Sequence, residues 1–88
     1  MSCFLYILYS ESLDRFYIGI SHDPETRLQY HNSFPKGWTR RGRPWTMKFT
    51  KGFSDKAEAQ DWEQWIKNQK KRSIILKVIN NEFDWDKF

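Results

Sequence analysis

The sequence predicts an α+β domain in which helices pack on a small, mainly antiparallel sheet of three strands, in the order β-β-α-β-α. Three observations lead there. Residues 4–21, FLYILYSESLDRFYIGIS, place two runs of β-branched, aromatic and leucine residues around the polar ESLD, the pattern of a hairpin with a short loop. Residues 45–53, WTMKFTKGF, alternate well enough to form a third strand. Two further stretches combine a capping residue with a run of good helix formers.

Taken in order, the hairpin strands run from Leu5 to Ser10 and from Arg15 to Ile20. In SHDPETRLQYHN, Asp23 can cap a helix whose first position is Pro24, and the pattern carries it to about residue 32. A basic loop ends at Pro44, ahead of the third strand. Ser54 can cap a longer helix from Asp55 to about Lys71. Its inward stripe is either Ala59, Trp62, Ile66 and Gln69 or Ala59, Trp62, Trp65 and Gln69. SIILKVIN, residues 73–80, reads equally as a helical turn or a strand. Repeats and low-complexity linkers are absent, and 88 residues suffice for one domain with a modest core.

Composition narrows the functional classes. No run of eighteen apolar residues exists, so no membrane span is expected. The first residues enter a strand-like segment without a basic leader or cleavage site, which predicts a cytoplasmic protein. Cys3 is the single cysteine, which excludes an internal disulfide and a cysteine zinc cage, and His22 and His31 lack zinc-ligand spacing. Fifteen Lys and Arg against eleven Asp and Glu give +4, and the excess is clustered. KGWTRRGRPW brings Lys36, Arg40, Arg41 and Arg43 together with Trp38 and Trp45 and no acid, while KNQKKR holds Lys67, Lys70, Lys71 and Arg72. Cations that follow a phosphate backbone, interleaved with aromatic planes for unpaired bases, fit a nucleic-acid surface. For the second cluster, a helix end whose lysines favour its negative pole is an equal reading.

Pairing across a loop at residues 11–14 sets Ser10 opposite Arg15, Leu8 opposite Tyr17 and Tyr6 opposite Gly19. Tyr6 and Tyr17 then share a face as diagonal neighbours, while Ile7, Ile18 and Ile20 point the other way. Gly19 leaves a notch beside the Tyr6 phenol where another group could approach.

These residues resemble the GIY-YIG nuclease domain, specifically the small stand-alone type similar to the nuclease domain of the bacterial excision-repair incision protein. FLYILYS stands for the GIY strand, with Tyr6 at its tyrosine and Phe4 in place of its glycine; FYIGIS supplies YIG at Tyr17, Ile18 and Gly19. RLQYHN matches the family's arginine followed four residues later by histidine or tyrosine, at Arg27 and His31. GRPW and KAEAQDWEQWIK match the segments that lead to the family's metal-binding glutamate, at Glu63. The resemblance implies a metal-dependent endonuclease that hydrolyses phosphodiester bonds in DNA, in repair or recombination. It implies Tyr6 as base or proton relay, Tyr17 holding water or phosphate, Arg27 clamping the scissile phosphate, and His31 sharing the proton work. Glu63 would hold one Mg²⁺ or Mn²⁺. The expected partner is DNA, branched, damaged or single-stranded, with RNA not set aside. The chain is expected to be a monomer or to self-associate weakly, with a protein partner as one source of specificity. A polar residue expected after the glutamate helix has Asn68 and Asn80 as candidates.

Two other classes compete. A catalytically weak or inactive nucleic-acid-binding accessory module would bind in a salt-dependent way without cutting. A protein-interaction domain would use the five tryptophans and the terminal FDWDKF as docking elements, unless those aromatics pin the tail to the sheet.

Overall fold

The computed structural model describes residues 2–33 and 43–85. Its elements are β1 (Cys3–Ser10), β2 (Arg15–Ser21), α1 (Pro24–Ser33), β3 (Trp45–Phe53), α2 (Lys56–Gln69) and α3 (Arg72–Ile79). The α+β class and the three-stranded antiparallel sheet are as the sequence predicts, and a third helix completes the order as β-β-α-β-α-α. β1 is the central strand, flanked by β2 and β3. The β1–β2 register sets Tyr6 opposite Gly19, Leu8 opposite Tyr17 and Ser10 opposite Arg15, as the loop length requires. Ser10 is fully buried, and its Oγ accepts the Leu13 N–H at 3.2 Å; Asp14 turns the chain with a φ of 52°, a left-handed conformation that Asp tolerates.

The sheet separates two clusters because side chains alternate along each strand. On one face Leu5, Ile7 and Ile18 meet Ala59, Trp62 and Ile66 of α2 and Val78 of α3. On the other, Tyr6, Leu8 and Trp45 pack with Tyr17, Leu28 and Met47. Of the two stripes open to α2, Ile66 is buried at 1% exposure, while Trp65 is half-buried at the margin of the same cluster.

Three local expectations are corrected. Asp55, not Ser54, caps α2: its backbone is extended and its carboxylate accepts the Ala57 N–H at 2.9 Å. β3 runs through Phe53, which leaves Ser54 as the bend between strand and cap. α2 also stops short of Lys71, because Lys70 adopts the left-handed conformation, φ 53°, and its N–H closes the last turn on the Lys67 carbonyl. The undecided segment after it is helical, with Val78 fully buried.

Within the tail, Phe83 and Trp85 pack rather than project, and residues 86–88 lie outside the described residues. Trp85 lies 5.0 Å from Trp62 and 6.1 Å from Phe49 between ring centroids, and Phe83 lies 5.5 Å from Trp62. These rings are part of the core margin, so they pin the tail to the sheet as the packing alternative has it. No helix among the described residues is long and apolar enough to cross a membrane.

Candidate active site

Tyr6 projects from the central strand and is 1% exposed. It stacks on Tyr17 at 6.3 Å between centroids, and its hydroxyl lies 3.4 Å from His31 Nε2. The Tyr17 ring is 4.6 Å from His31, so the two tyrosines and the imidazole form one polar cluster within an aromatic surround. The expected notch beside Gly19 is filled by Tyr6 itself. A Cβ on Gly19 would stand 2.6 Å from the phenol oxygen and 2.8 Å from its Cζ, so the glycine makes room for the tyrosine rather than for a visitor.

α1 carries Arg27 and His31 one turn apart on one face. This helix buries little apolar surface, so polar contacts set its pose. Asp23 caps its start, accepting the Thr26 N–H at 3.3 Å and the Thr26 hydroxyl at 2.8 Å. At its end, Asn32 grips the backbone of Trp45 in both senses: Oδ1 accepts the Trp45 N–H at 2.6 Å, and Nδ2 donates to the Trp45 carbonyl at 3.1 Å. Arg43 donates to the Asn32 carbonyl at 3.2 Å. A side-chain amide thereby joins α1 to the first residue of β3 and holds His31 over the tyrosines. Asn32 carries no signal in the sequence, because its partners are main-chain atoms thirteen residues away.

Burial pushes the Tyr6 phenol above its ordinary pKa, and the hydrogen-bonded Arg27 guanidinium opposes that rise without overcoming it. Burial, then the Arg27 charge, lowers the pKa of His31. His31 Nδ1 is buried and has no hydrogen-bond partner among the described residues. With Nε2 facing the Tyr6 hydroxyl as an acceptor, the neutral ring carries its proton on Nδ1, and burial disfavours a second proton. Tyr6 and His31 therefore stand as a neutral phenol beside a neutral imidazole.

Glu63 reaches the site from the opposite side of edge strand β2. A cleft of about 460 Å³ over the end of β2 is lined by Arg27 from α1, by Ser21 and His22, and by Lys56, Gln60 and Glu63 from α2. The Glu63 carboxylate accepts from Lys67 Nζ at 3.3 Å, and its side chain is 12% exposed. One hard carboxylate at an open cleft with room for water fits a divalent ion that keeps most of its hydration shell. Among the described residues no three His, Cys, Asp or Glu side chains gather as a fuller cage.

The structure thus gathers Tyr6, Tyr17 and His31 on one face of the hairpin, with Arg27 between them and the cleft that Glu63 lines. Of the basic set, Lys36, Trp38, Arg40 and Arg41 lie outside the described residues. Trp45 is 2% exposed in the core beside Tyr6 and Leu8, which corrects its reading as a stacking surface. Arg43 is half-buried against the end of α1, Lys67 holds Glu63, and Lys70 and Lys71 are exposed at the α2–α3 joint. Asn68 and Asn80 are exposed, and neither lines the cleft.

Paired tyrosines on a hairpin, a helix arginine and histidine beside them, and a glutamate on the next long helix define a nuclease scaffold. Residues 2–77 match the GIY-YIG catalytic domain, and the chain belongs to that family. It is similar to the UPF0213 protein BH0048 from Bacillus halodurans, known from a solution NMR structure, with 29% identity and a TM-score of 0.53. The likeness covers 93% of this chain and 92% of that one, in keeping with the small stand-alone type. No curated protein matches significantly. Nucleases of this family act on nucleic acid and generally use divalent metal ions.

Proposed function

We propose that the protein is a metal-dependent endonuclease that hydrolyses phosphodiester bonds in DNA. The observation that carries the reading is the hydrogen-bonded Tyr6–His31 pair with Arg27 on the phenol, next to the cleft that holds Glu63. A setting in repair or recombination rests on the likeness to the excision-repair incision domain alone.

Hydrolysis needs a proton removed from water, charge neutralised on the phosphoryl oxygens, and a leaving oxygen released. With its pKa raised, Tyr6 does not stand as a phenolate; it acts as a relay. As water attacks phosphorus, its proton passes to the Tyr6 oxygen while the Tyr6 proton passes to His31 Nε2, which is neutral and within 3.4 Å. The new P–O bond forms, the bond to the leaving oxygen breaks, and that oxygen takes a proton from solvent. The imidazolium then returns its proton to solvent. Arg27 faces both the phenol and the cleft, and its planar fork pairs two phosphoryl oxygens. Tyr17, stacked on Tyr6 and half-buried, orients the attacking water or the phosphate. Glu63 would hold Mg²⁺ or Mn²⁺, which when bound would supply Lewis-acid chemistry to the phosphoryl group.

The test is cleavage of labelled single-stranded, duplex and branched DNAs with Mg²⁺, Mn²⁺ or EDTA, beside Glu63→Ala. Metal-dependent cutting that the variant loses is the expected result. Salt-sensitive binding with no cutting on any substrate would replace the nuclease by an accessory binding module.

A further inference from the structure

A second cavity, of about 630 Å³, lies where β2 meets the joint between α2 and α3. Five cations line it, Arg15, Lys67, Lys70, Lys71 and Arg72, against one carboxylate, Asp14. That carboxylate is already engaged by Arg72, whose Nη1 donates to it at 3.1 Å. With Lys67 engaged by Glu63 and Arg72 by Asp14, the groove keeps the charges of Arg15, Lys70 and Lys71 in excess. Clustered charge of one sign costs stability by self-repulsion unless something of opposite sign binds there.

The groove is continuous with the candidate site through two residues. Tyr17 lines it and stacks on Tyr6; Lys67 lines it and holds Glu63. The sequence of α2 makes the connection. Lys56, Gln60, Glu63 and Lys67 recur at steps of four, three and four, which puts them on one face of the helix, and Lys70 follows at its C-cap. From Lys56 to Lys67 this ridge is about 17 Å long. It begins in the cleft beside Arg27 and ends in the groove. A left-handed residue at a helix end is most often glycine. Here it is Lys70, so the turn that closes α2 also adds a cation.

We propose that this groove binds the sugar–phosphate backbone of one nucleic-acid strand as it leaves the catalytic cleft along α2, with Lys70, Lys71 and Arg15 on its phosphates. The inference rests on the nuclease reading for the direction of the strand, while binding in the groove is measured without turnover. A single strand suits a groove of this size, whose cations follow one backbone over the apolar lining of Ile66 and Ile75.

The experiment compares the parent protein with the double variant Lys70→Gly, Lys71→Gln in EDTA, where no cutting occurs. Glycine keeps the left-handed turn, and a thermal melt confirms the fold. The probe is a labelled twelve-nucleotide thymidine oligonucleotide, read by anisotropy between 50 and 200 mM salt. The expected result is a slope of log K against log salt that is shallower by about 1.4 in the variant, so that its affinity falls about sevenfold less than the parent's over that range. A control pair, Lys48→Gln with Lys77→Gln, removes the same charge from exposed positions elsewhere and should leave the slope near the parent's. Equal slopes for the parent and groove variants, equal losses in the groove and control pairs, or no binding by the parent each overturn the groove. Parent cleavage without a groove effect would leave the nuclease standing, and a groove effect without parent cleavage would leave the groove standing alone.

Discussion

The phenol of Tyr6 occupies the space that a side chain on Gly19 would need: a Cβ there would sit 2.6 Å from the hydroxyl oxygen. Tyr6 has little freedom to yield, since it is 1% exposed and lies against both Tyr17 and His31. Gly19→Ala should therefore displace the phenol from His31 and cost about 1–3 kcal/mol as overpacking. Urea denaturation gives the cost, and the cleavage assay should lose activity with it. A variant as stable and active as the parent would show that the glycine is not needed for the phenol's place.

Tyr6→Phe separates chemistry from packing. The ring and its stacking remain, and the hydrogen bond to His31 is lost. Stability should change by no more than about 1 kcal/mol, as for one net hydrogen bond. Cleavage should fall about 100- to 10,000-fold, the range for a lost general acid–base group. A large loss of stability together with activity would make Tyr6 a packing residue.

Much of this was legible in the sequence. The loop between Ser10 and Arg15 fixes the hairpin register, and the register alone pairs Tyr6 with Gly19 and puts Tyr17 beside Tyr6. Arg27 and His31 follow from helical spacing behind the Asp23 cap. What stayed hidden depends on contacts distant in the chain. The Asn32 clamp on Trp45 joins a side chain to main-chain atoms, which no residue pattern reports. Arg72 meets Asp14 across 58 residues, and neither end predicts the other. The end of α2 is hidden as well, because Lys70 takes a left-handed turn without being glycine.

Asn32→Ala should remove both hydrogen bonds to the Trp45 backbone, groups of a residue that is 2% exposed. Losing both bonds should cost about 1–3 kcal/mol. As a positioning residue Asn32 should also affect kcat through His31. Asn32→Asp retains the acceptor for the Trp45 N–H and should recover part of the stability. Equal losses in the Ala and Asp variants would mean that this bond does not set the pose of α1.

On the proposed reading, a metal ion would compete with Lys67 for the Glu63 carboxylate. The Lys67–Glu63 pair is an i,i+4 bridge whose lysine is 45% exposed, so it contributes only about 0.5 kcal/mol. Lys67→Met should leave the melting temperature nearly unchanged. It should raise Mn²⁺ affinity at Glu63 by about two- to threefold, the equivalent of that energy. Titration of Mn²⁺ by electron paramagnetic resonance, without nucleic acid, measures it directly. Unchanged affinity in Lys67→Met, or affinity retained in Glu63→Ala, would place the ion elsewhere.

Acidification should weaken the fold in two separate windows. Burial holds the His31 pKa below its ordinary 6.5, so the unfolded chain binds the proton more readily. The stability linked to His31 is complete above that value and is lost as pH falls through it towards the lower folded pKa. Asp14 behaves likewise further down: Arg72 and then Tyr9 hold its carboxyl at about 2 against 3.8, so its contribution is lost only between those values. Urea midpoints taken from pH 7.5 to pH 4.5 should therefore fall through His31 alone of this pair. In His31→Gln that part of the decline should disappear, while a decline of equal size in the variant would assign the upper window to another group.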